Sequence, residues 1–286
     1  MTKIISFFFY KIIFYLNKFI FFITKKDLLI WFDEFLQTDS YKKITILGKD
    51  IKFFTPNNIT NWRVDSFFTK EPETLKWIDT FSKKKNIIFW DIGSNIGLFS
   101  IYNALKNKNS QTISFEPSTS NLRILSRNIS INDIKNINIM PIPLTNKKNK
   151  FLIMKESQFT YGGGLNSYGE KYNFEGKIYI SNMNYKLFGT TINYLLEQKI
   201  LKIPDYIKID VDGIEHLILE GCGKYLSDKK IKSVSIEINE NFTNQYKKIL
   251  NIMKKNKFKI LQKENNKNFF KIEKKFKKTF NYIFIK

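Results

Sequence analysis

The chain has 286 residues, 43% hydrophobic and 26% charged, a balance typical of a globular protein with a sizeable core. Its single cysteine excludes an internal disulfide and suits a reducing cytosol, and its single histidine, His216, excludes any site that needs two histidines. The net charge of +22 suits nucleic acid, an anionic membrane or an acidic glycan, but the lysines are spread along the whole chain, which favours a general composition bias.

Residues 4–23 form the most apolar stretch, with 16 apolar side chains in 20 positions, and a helix of this length spans about 30 Å, the thickness of a bilayer core. Lys11, Lys18 and Lys25 recur every seven residues and share one narrow helix face. This stripe favours contact of residues 4–25 with an anionic membrane surface; a single-span anchor and packing on the rest of the protein are the alternatives. Because no A-x-A-like cleavage site follows, we expect a cytoplasmic protein, peripheral on the inner face of the membrane.

Composition and element pattern divide the chain into an apolar, basic N-terminal helix (residues 1–26), an N-terminal extension (27–85) and a main domain (86–286). Within the extension we expect a helix over residues 28–36. A hairpin should follow, whose strands, 43–47 and 50–54, surround Gly48.

The next helix is predicted to begin at Pro72, with Glu71 and Glu73 at its N-terminal end. Acidic side chains are favourable there because they complement the helix dipole. We therefore interpret Glu71 and Glu73 as helix caps and leave them out of the candidate site.

The most informative stretch, Ile87 to Ser100, reads IIFWDIGSNIGLFS, which predicts a strand, a tight turn and a helix. Asp91 is expected at the carboxyl end of a central parallel strand, where open α/β sheets bind ligands. Gly93 permits a sharp turn and close approach of a ligand, and Gly97 leaves room for the start of the helix. The D-x-G-x-x-x-G spacing differs from the dinucleotide fingerprint G-x-G-x-x-G.

A second strand, residues 111–115, ends in Glu116. A carboxylate there can accept hydrogen bonds from both hydroxyls of a ribose, while Asp91 suits a cationic group such as an amine. A nucleoside with an amino-acid tail satisfies both acids, and that ligand is S-adenosylmethionine. The alternative is a glycine-rich turn with two acids at ordinary strand ends. The presence of the glycine loop and of the second acid, in this order along the chain, favours the cofactor.

Strands and helices alternate through the main domain at a spacing that indicates parallel βαβ units. The predicted helices cover residues 98–105, 118–131, 190–198 and 241–254, and further strands cover 137–140, 234–238, 257–262, 269–272 and 280–285. Glu237 is expected near the end of its strand.

Residues 145–188 interrupt this alternation. Strands are expected over 151–154 and 177–180, and three consecutive glycines lie between them in the segment 161–167. Three glycines give a mobile backbone, which suits a lid or substrate loop and, equally, a plain hairpin tip.

The second informative stretch, Tyr206 to His216, is an apolar strand followed by Asp210, Asp212 and Glu215. A carboxylate at this position can orient a nucleophile or accept its proton, and three nearby carboxylates can also bind a hard divalent cation. Charge at a helix N-terminus is the alternative, and it explains Asp212 and Glu215 but not Asp210 on the strand. His216 is interpreted as a helix-surface residue.

Four sequence blocks resemble the FkbM-type S-adenosylmethionine-dependent methyltransferases: DIGSNIG at 91–97, FEP at 115–117, IKIDVDGIE at 207–215 and SIEIN at 235–239. The resemblance covers roughly residues 55–260. It implies an α/β class I methyltransferase fold, with a Rossmann-like, seven-stranded, mostly parallel sheet, an antiparallel last strand and helices on both faces. It also implies O-methylation of a hydroxyl on a sugar, a surface glycan or a related natural product.

By this resemblance the methionine end of the cofactor contacts Asp91, Gly93, Ser94, Asn95 and Gly97, the ribose contacts Glu116, and the catalytic residues are Asp210, Asp212 and Glu215. The implied partner is a glycan or small-molecule acceptor, and dependence on a divalent cation is left open. One departure is Asn193, at a position where the family usually has an acid, and an asparagine cannot act as a base.

A nucleic-acid methyltransferase is the first alternative, because it would use the positive charge. Enzymes of that kind usually show an Asp/Asn-Pro-Pro-aromatic loop or a Pro-Cys nucleophile; here the loop reads DVDG and Cys222 lies between two glycines. Nucleic acid is therefore not expected as a partner. The second alternative is a non-catalytic, membrane-associated glycan-binding module.

Overall fold

The computed structural model describes residues 1–83, 86–181, 183–265 and 276–286. It begins with two helices, α1 (Thr2–Thr24) and α2 (Leu28–Asp39). α1 ends where Lys25 adopts a left-handed conformation, with φ 57°. By length and composition α1 is the single helix in the described ranges that could cross a membrane. It packs mainly on α2 and leaves most of its side chains exposed, which speaks against packing on the rest of the protein.

The extension contains the predicted hairpin and the predicted helix from Pro72, with two short helices between them that were not predicted from the sequence. Strands β1 (Tyr41–Ile46) and β2 (Lys49–Phe54) pair antiparallel, and α3 (Asn58–Asp65), α4 (Phe67–Lys70) and α5 (Pro72–Asp79) follow. α3 begins with a capping box, in which the side chains of Asn57 and Thr60 each accept from the other's backbone N–H. Buried residues such as Phe53 and Ile78 join Ile101 and Leu125 of the main domain in one cluster, so the two parts share a core.

The first half of the main sheet closely follows the predicted elements. It comprises β3 (Ile88–Ile92), α6 (Leu98–Lys106), β4 (Gln111–Phe115), α7 (Thr119–Ile131) and β5 (Ile137–Met140). Ser118 caps α7 by accepting from the Asn121 N–H. Along β3, Trp90 packs into one core cluster and Phe89 into the other, as a central strand covered on both faces requires.

A small antiparallel sheet interrupts the alternation. Its strands are β6 (Lys150–Glu156), β7 (Ser167–Tyr168) and β8 (Met183–Gly189), in the order β7-β6-β8. The strand predicted over residues 177–180 is wrong, because Ile178 forms only an isolated bridge with Tyr172. Ile178 and Ile180 are 84% and 85% exposed, so the apolar alternation there marks no buried face. β6 pairs with β8 instead.

The chain then returns to the main sheet. The remaining α-helices and strands are α8 (Ile192–Glu197), β9 (Tyr206–Ile209), α9 (Glu215–Glu220), β10 (Ser233–Asn239), α10 (Thr243–Lys255), β11 (Lys259–Glu264) and β12 (Thr279–Ile285), and a short 3-10 helix covers Gly223–Ser227. The sheet order is β11-β12-β10-β9-β3-β4-β5, and β12 runs antiparallel to both of its neighbours. This confirms the predicted seven-stranded, mostly parallel sheet; the strand predicted over 269–272 lies outside the described residues.

Candidate active site

Two cavities meet at the carboxyl edge of the sheet. The first is lined by the turn after β3, by Glu116 after β4 and by an apolar wall of Ile142, Pro143 and Leu144. The second is wider and is lined by residues of the extension, by the end of β10 and by the glycine loop, residues 161–167. Both cavities are lined by Gly93, Asn95, Gly163, Gly164, Asp210 and Asp212, which therefore mark their junction.

The turn after β3 packs directly on the end of β9. Gly93 has φ 87°, and a Cβ there would lie 1.9 Å from the carbonyl oxygen of Asp210, so no side chain fits. The N–H groups of Gly93 and Ser94 donate to Phe115 O at 2.9 and 3.0 Å. The Ser94 hydroxyl donates to the same oxygen and lines neither cavity. Ser94, predicted as a cofactor contact, thus lies behind the turn and ties it to β4.

Gly97 also lies away from both cavities and is needed for packing. It has φ 89° at the start of α6, and a Cβ there would lie 2.6 Å from Leu125 Cδ1 on α7. The room that Gly97 leaves is therefore filled by α7 and not by a ligand.

Replacing Gly97 is expected to destabilise the protein without touching a binding surface. Gly97→Ala should lower the free energy of unfolding by about 2 kcal/mol, because left-handed backbone strain and the contact with Leu125 add together. The control is Gly48→Ala, which has φ 75° but nothing within 4 Å of the added Cβ, and should cost about 1 kcal/mol. Urea unfolding followed by circular dichroism measures both, and equal losses would show that Leu125 moves aside freely.

Asn95 and Glu116 form the polar side of the first cavity. The Asn95 N–H donates to Glu116 Oε2 at 2.7 Å, and the Ser118 N–H donates to Glu116 Oε1 at 2.9 Å. Burial raises the pKa of Glu116 to about 7, against the effect of these two N–H donors. Asn95 Nδ2 donates to Gly163 O at 2.7 Å, while the buried Asn95 Oδ1 has no hydrogen-bond partner among the described residues. Asn95 Oδ1 can therefore accept a hydrogen bond from a ligand at the junction of the two cavities.

Asp91 is placed behind the site. It is 1% exposed, lines neither cavity, and accepts from Ser100 Oγ at 2.6 Å, which itself accepts from Ser114 Oγ at 2.7 Å. Burial raises the pKa of Asp91, while Lys208, its register partner on β9, acts in the opposite direction. The predicted contact of Asp91 with an amine therefore stays a prediction, and its visible role is in this buried polar network.

Lys208 and Asp210 form a buried ion pair at the end of β9. Lys208 is 3% exposed, and its Nζ lies 2.7 Å from Asp210 Oδ2. Burial opposes the charge of Lys208, but the carboxylates of Asp210, Glu71 and Asp91 outweigh it and raise the lysine pKa. Burial likewise opposes ionisation of Asp210, yet Lys208 and Lys70 hold the pKa of Asp210 below its usual value. Asp210 is therefore an ionised hydrogen-bond acceptor and a poor proton acceptor.

Two further carboxylates reach the second cavity beside Asp210. One oxygen each of Glu71, Asp210 and Glu237 lie within 4.8 Å of one another. The interpretation of Glu71 as a cap is wrong, because its side chain makes no capping hydrogen bond and instead pairs with Lys70 Nζ at 2.6 Å. Glu237 lies near the carboxyl end of its strand, and the same position relative to a strand identified Asp210 in the sequence. Glu71 lies in a loop and is brought here by tertiary packing alone.

Asp212 lies at the junction in a strained backbone conformation. Its φ is 62°, and its Oδ2 accepts from the Leu165 N–H at 2.7 Å. Burial, followed by the charge of Asp210, raises the pKa of Asp212 to about 6. A carboxylate with this pKa is ionised near neutral pH and still basic enough to accept a proton.

Glu215 and His216 face inward, away from both cavities. Glu215 is 2% exposed and accepts from the N–H groups of Gly213 and Val211 and from Gln245. It therefore holds the turn that carries Asp212, and its predicted catalytic contact stays untested. His216 is not a surface residue as expected: it is 4% exposed, packs against Tyr172, and burial lowers its pKa to about 4.

The glycine loop is tied down at several points. Arg63 Nε donates to Gly162 O at 2.6 Å, and Asn121 Nδ2 donates to Gly163 O at 3.0 Å. The Gly162 N–H in turn donates to Asn121 Oδ1 at 2.9 Å. These contacts hold the loop as a wall of both cavities, which favours the substrate-loop interpretation over a plain hairpin tip.

The family model for the Methyltransferase FkbM domain matches residues 91–260, more than half of the chain. The chain belongs to the FkbM methyltransferase family. The predictions of an enzyme and of S-adenosylmethionine as its cofactor are thereby confirmed. This FkbM methyltransferase is also similar to methyltransferase sdnD of Sordaria araneosa, with 26% identity over 175 residues, which cover 54% of this chain and 68% of that protein.

Two solved methyltransferase structures match the chain at low sequence identity. A Streptococcus mutans protein described as a S-adenosylmethionine-dependent methyltransferase matches with a TM-score of 0.50 and 11% identity, over 86% of the FkbM methyltransferase and 56% of that chain. An rRNA methylase from Streptococcus thermophilus matches with a TM-score of 0.44 and 12% identity, over 75% and 94% of the two chains. At 11% identity the likeness to the Streptococcus mutans protein concerns the fold, which is that of class I methyltransferases.

Proposed function

We propose that this enzyme transfers the methyl group of S-adenosylmethionine to a hydroxyl of a sugar, a surface glycan or a related natural product. One observation carries the proposal: among the described residues, the second cavity is lined by five acidic side chains and two basic ones. The acids are Glu71, Glu73, Asp210, Asp212 and Glu237, and the bases are Arg63 and Lys70. Ionised carboxylates accept hydrogen bonds from hydroxyl groups, and a protonated carboxyl can donate one, as Glu237 can because burial raises its pKa well above the usual value. This wall therefore suits a neutral polyol.

The first cavity fits the cofactor. Each oxygen of Glu116 accepts one backbone N–H and keeps lone pairs for the ribose hydroxyls. The unpartnered Asn95 Oδ1 suits the amino group of the methionine end, and the apolar wall of residues 142–144 suits the adenine ring. When bound, S-adenosylmethionine supplies an electrophilic methyl group that needs no further activation.

The acceptor hydroxyl does need activation, because an alcohol is a poor nucleophile with a high pKa. Asp212 accepts its proton, since the Asp212 carboxylate lies at the junction and has a pKa of about 6. Asp210, kept ionised by Lys208, accepts a hydrogen bond and orients the hydroxyl. Glu215 acts through the backbone as a positioning residue for Asp212.

A nucleic-acid acceptor fits the second cavity poorly. Binding of nucleic acid depends on neutralising phosphates with Lys and Arg. Among the described residues this cavity offers only Arg63 and Lys70 for that purpose, and Asp210, which is held ionised, would repel a phosphate. The net charge of +22 is carried elsewhere on the surface.

The proposal is tested with the full chain and methyl-labelled S-adenosylmethionine. Neutral oligosaccharides and polyol natural products are offered as acceptors, beside total RNA, and label is followed in each. We expect label in an alkali-stable methyl ether of a neutral acceptor and none in RNA. Label in RNA alone would overturn the acceptor class and leave the family assignment intact.

The carboxylate cluster is expected to work without a divalent cation. Glu71, Asp210 and Glu237 are close enough to hold one. However, Lys70 Nζ and Lys208 Nζ already lie 2.6 and 2.7 Å from Glu71 and Asp210 and supply positive charge. In the same assay, EDTA should therefore leave the rate unchanged. A loss that Mg²⁺ restores would instead assign the three carboxylates to a metal site.

A further inference from the structure

The two N-terminal helices expose far more apolar surface than a soluble domain needs. Thirteen large hydrophobic side chains on α1 and five on α2 are exposed, including Phe8 at 62%, Phe22 at 75%, Trp31 at 58% and Phe35 at 64%. A contiguous patch of this kind marks a surface that is covered in the working protein.

The polar side chains of α1 all lie on one side of the helix. At 100° per residue, they fall within an arc of about 180°, and the other half of the circumference is apolar. The members of this arc are Thr2, Lys3, Ser6, Lys11, Asn17, Lys18 and Thr24. Lys11 Nζ and Lys18 Nζ lie over the Phe14 ring, at 5.5 and 4.8 Å from its centroid. Such a helix suits the plane between headgroups and acyl chains, where lysines reach the headgroups from an apolar base.

A side-chain bridge joins α1 to α2 well before the end of α1. Asn17, the one buried residue of α1, accepts from the N–H groups of Leu28 and Leu29 at 2.6 and 3.2 Å. Asp27 Oδ1 also accepts from the Leu29 N–H, at 2.9 Å. The start of α2 and the Asp27 carboxylate are therefore held at the level of Asn17.

This bridge decides between crossing the bilayer and lying in its surface. If α1 crossed along the membrane normal, Asn17 would lie about 6 Å from the midplane of a core whose half-thickness is about 15 Å. Asp27 and the N-terminal N–H groups of α2 would be drawn into hydrocarbon, where charged and unpaired polar groups are costly. With α1 lying in the plane, the same groups stay at headgroup level.

We propose that α1 and α2 together lie in the interfacial layer of one anionic leaflet and do not cross it. The apolar arc of α1 and the exposed face of α2, with Trp31 and Phe35, enter the acyl region, and Lys11 and Lys18 meet anionic headgroups. This inference extends membrane contact to α2 and is independent of the proposed acceptor.

The binding test uses the full chain and vesicle flotation. The vesicles are phosphatidylcholine with or without phosphatidylglycerol. We expect flotation with the anionic vesicles and weaker flotation with the neutral ones. Ile12→Glu/Phe19→Glu on α1 and Trp31→Glu/Phe35→Glu on α2 should each lower partition about tenfold or more.

The control is Ile178→Glu/Ile180→Glu, at 84% and 85% exposed positions outside the helices, which should float like the unchanged chain. If the α2 pair floats like this control, α2 does not enter the membrane and the proposal is wrong. If the protein binds neutral vesicles as well as anionic ones, the proposed contact of Lys11 and Lys18 with anionic headgroups is wrong.

Topology is tested with a membrane-impermeant maleimide on spheroplasts that express the chain. The native Cys222 is buried, so the unchanged protein gives the background. Lys3→Cys reports the start of α1, and Ile178→Cys reports the folded domain. We expect both sites to be protected together and labelled together after lysis. Labelling of Lys3→Cys alone before lysis would show that α1 crosses the bilayer.

Discussion

Asp212→Asn is expected to lower kcat about 10³-fold, the usual worth of a positioned general base. Asparagine has the same shape and tolerates the left-handed φ of 62° at this position, so the fold and the Leu165 contact should persist. Binding of the cofactor product, measured by calorimetry with S-adenosylhomocysteine, should be unchanged because the contacts proposed for the ribose and the amino group are made by Glu116 and Asn95.

The pH profile distinguishes a base from a merely structural residue. The pKa of Asp212 is about 6, so the unchanged enzyme should lose activity about tenfold per pH unit below that value, where the carboxylate is protonated. The residual activity of Asp212→Asn should lack this limb. Asp133→Asn, at an exposed carboxylate far from the junction, is the control and should keep full activity. A variant that retains the acid limb would remove Asp212 from proton transfer.

Lys208→Met is expected to lower the free energy of unfolding by about 3–5 kcal/mol, because it removes one member of a buried ion pair and leaves the others uncompensated. Asp210 lies 2.7 Å from Lys208 Nζ, and Asp91 is its register partner, so two carboxylates lose their cation. Methionine keeps much of the side-chain volume, which limits any packing loss. Denaturant unfolding measures the change.

The deficit of Lys208→Met should shrink as pH falls. Loss of the lysine raises the folded-state pKa of both Asp91 and Asp210, so the folded variant binds more protons than the unchanged protein and its deficit grows with rising pH. We expect a smaller loss near pH 5 than near pH 8. Lys43→Met removes an exposed ion pair with Asp50 and should cost about 0–1 kcal/mol at either pH. A similar small loss for Lys208→Met would show that water reaches the cluster.

The strand-end pattern predicted much of the site, because parallel strands bring their carboxyl ends to one edge. Gly93, Asn95, Glu116, Asp210 and Asp212 all line the cavities that it indicated. The alternation of strands and helices also followed from hydrophobic patterning, and the antiparallel last strand followed from the family resemblance alone.

Tertiary packing accounts for what the sequence could not show. Glu71 lies beside a proline at a helix start, where local rules favour a cap, and only the docking of α5 on the sheet brings it to Asp210. Glu215 shares a spacing with Asp212 that suits one helix face, but Asp212 precedes the helix and the two side chains diverge. At residues 177–180, strand-like alternation occurs in an exposed segment, which pattern alone cannot distinguish from an edge strand.

The walls of the two cavities come from different parts of the fold. Gly93 packs directly against the carbonyl oxygen of Asp210, so the turn after β3 and the end of β9 are in close contact. A larger side chain at position 93 is therefore not tolerated. By contrast, Ile59, Trp62 and Arg63 line only the second cavity and come from a short helix outside the sheet. If the second cavity holds the acceptor as proposed, substitutions at Ile59 and Trp62 should change the choice of acceptor more than the affinity for S-adenosylmethionine.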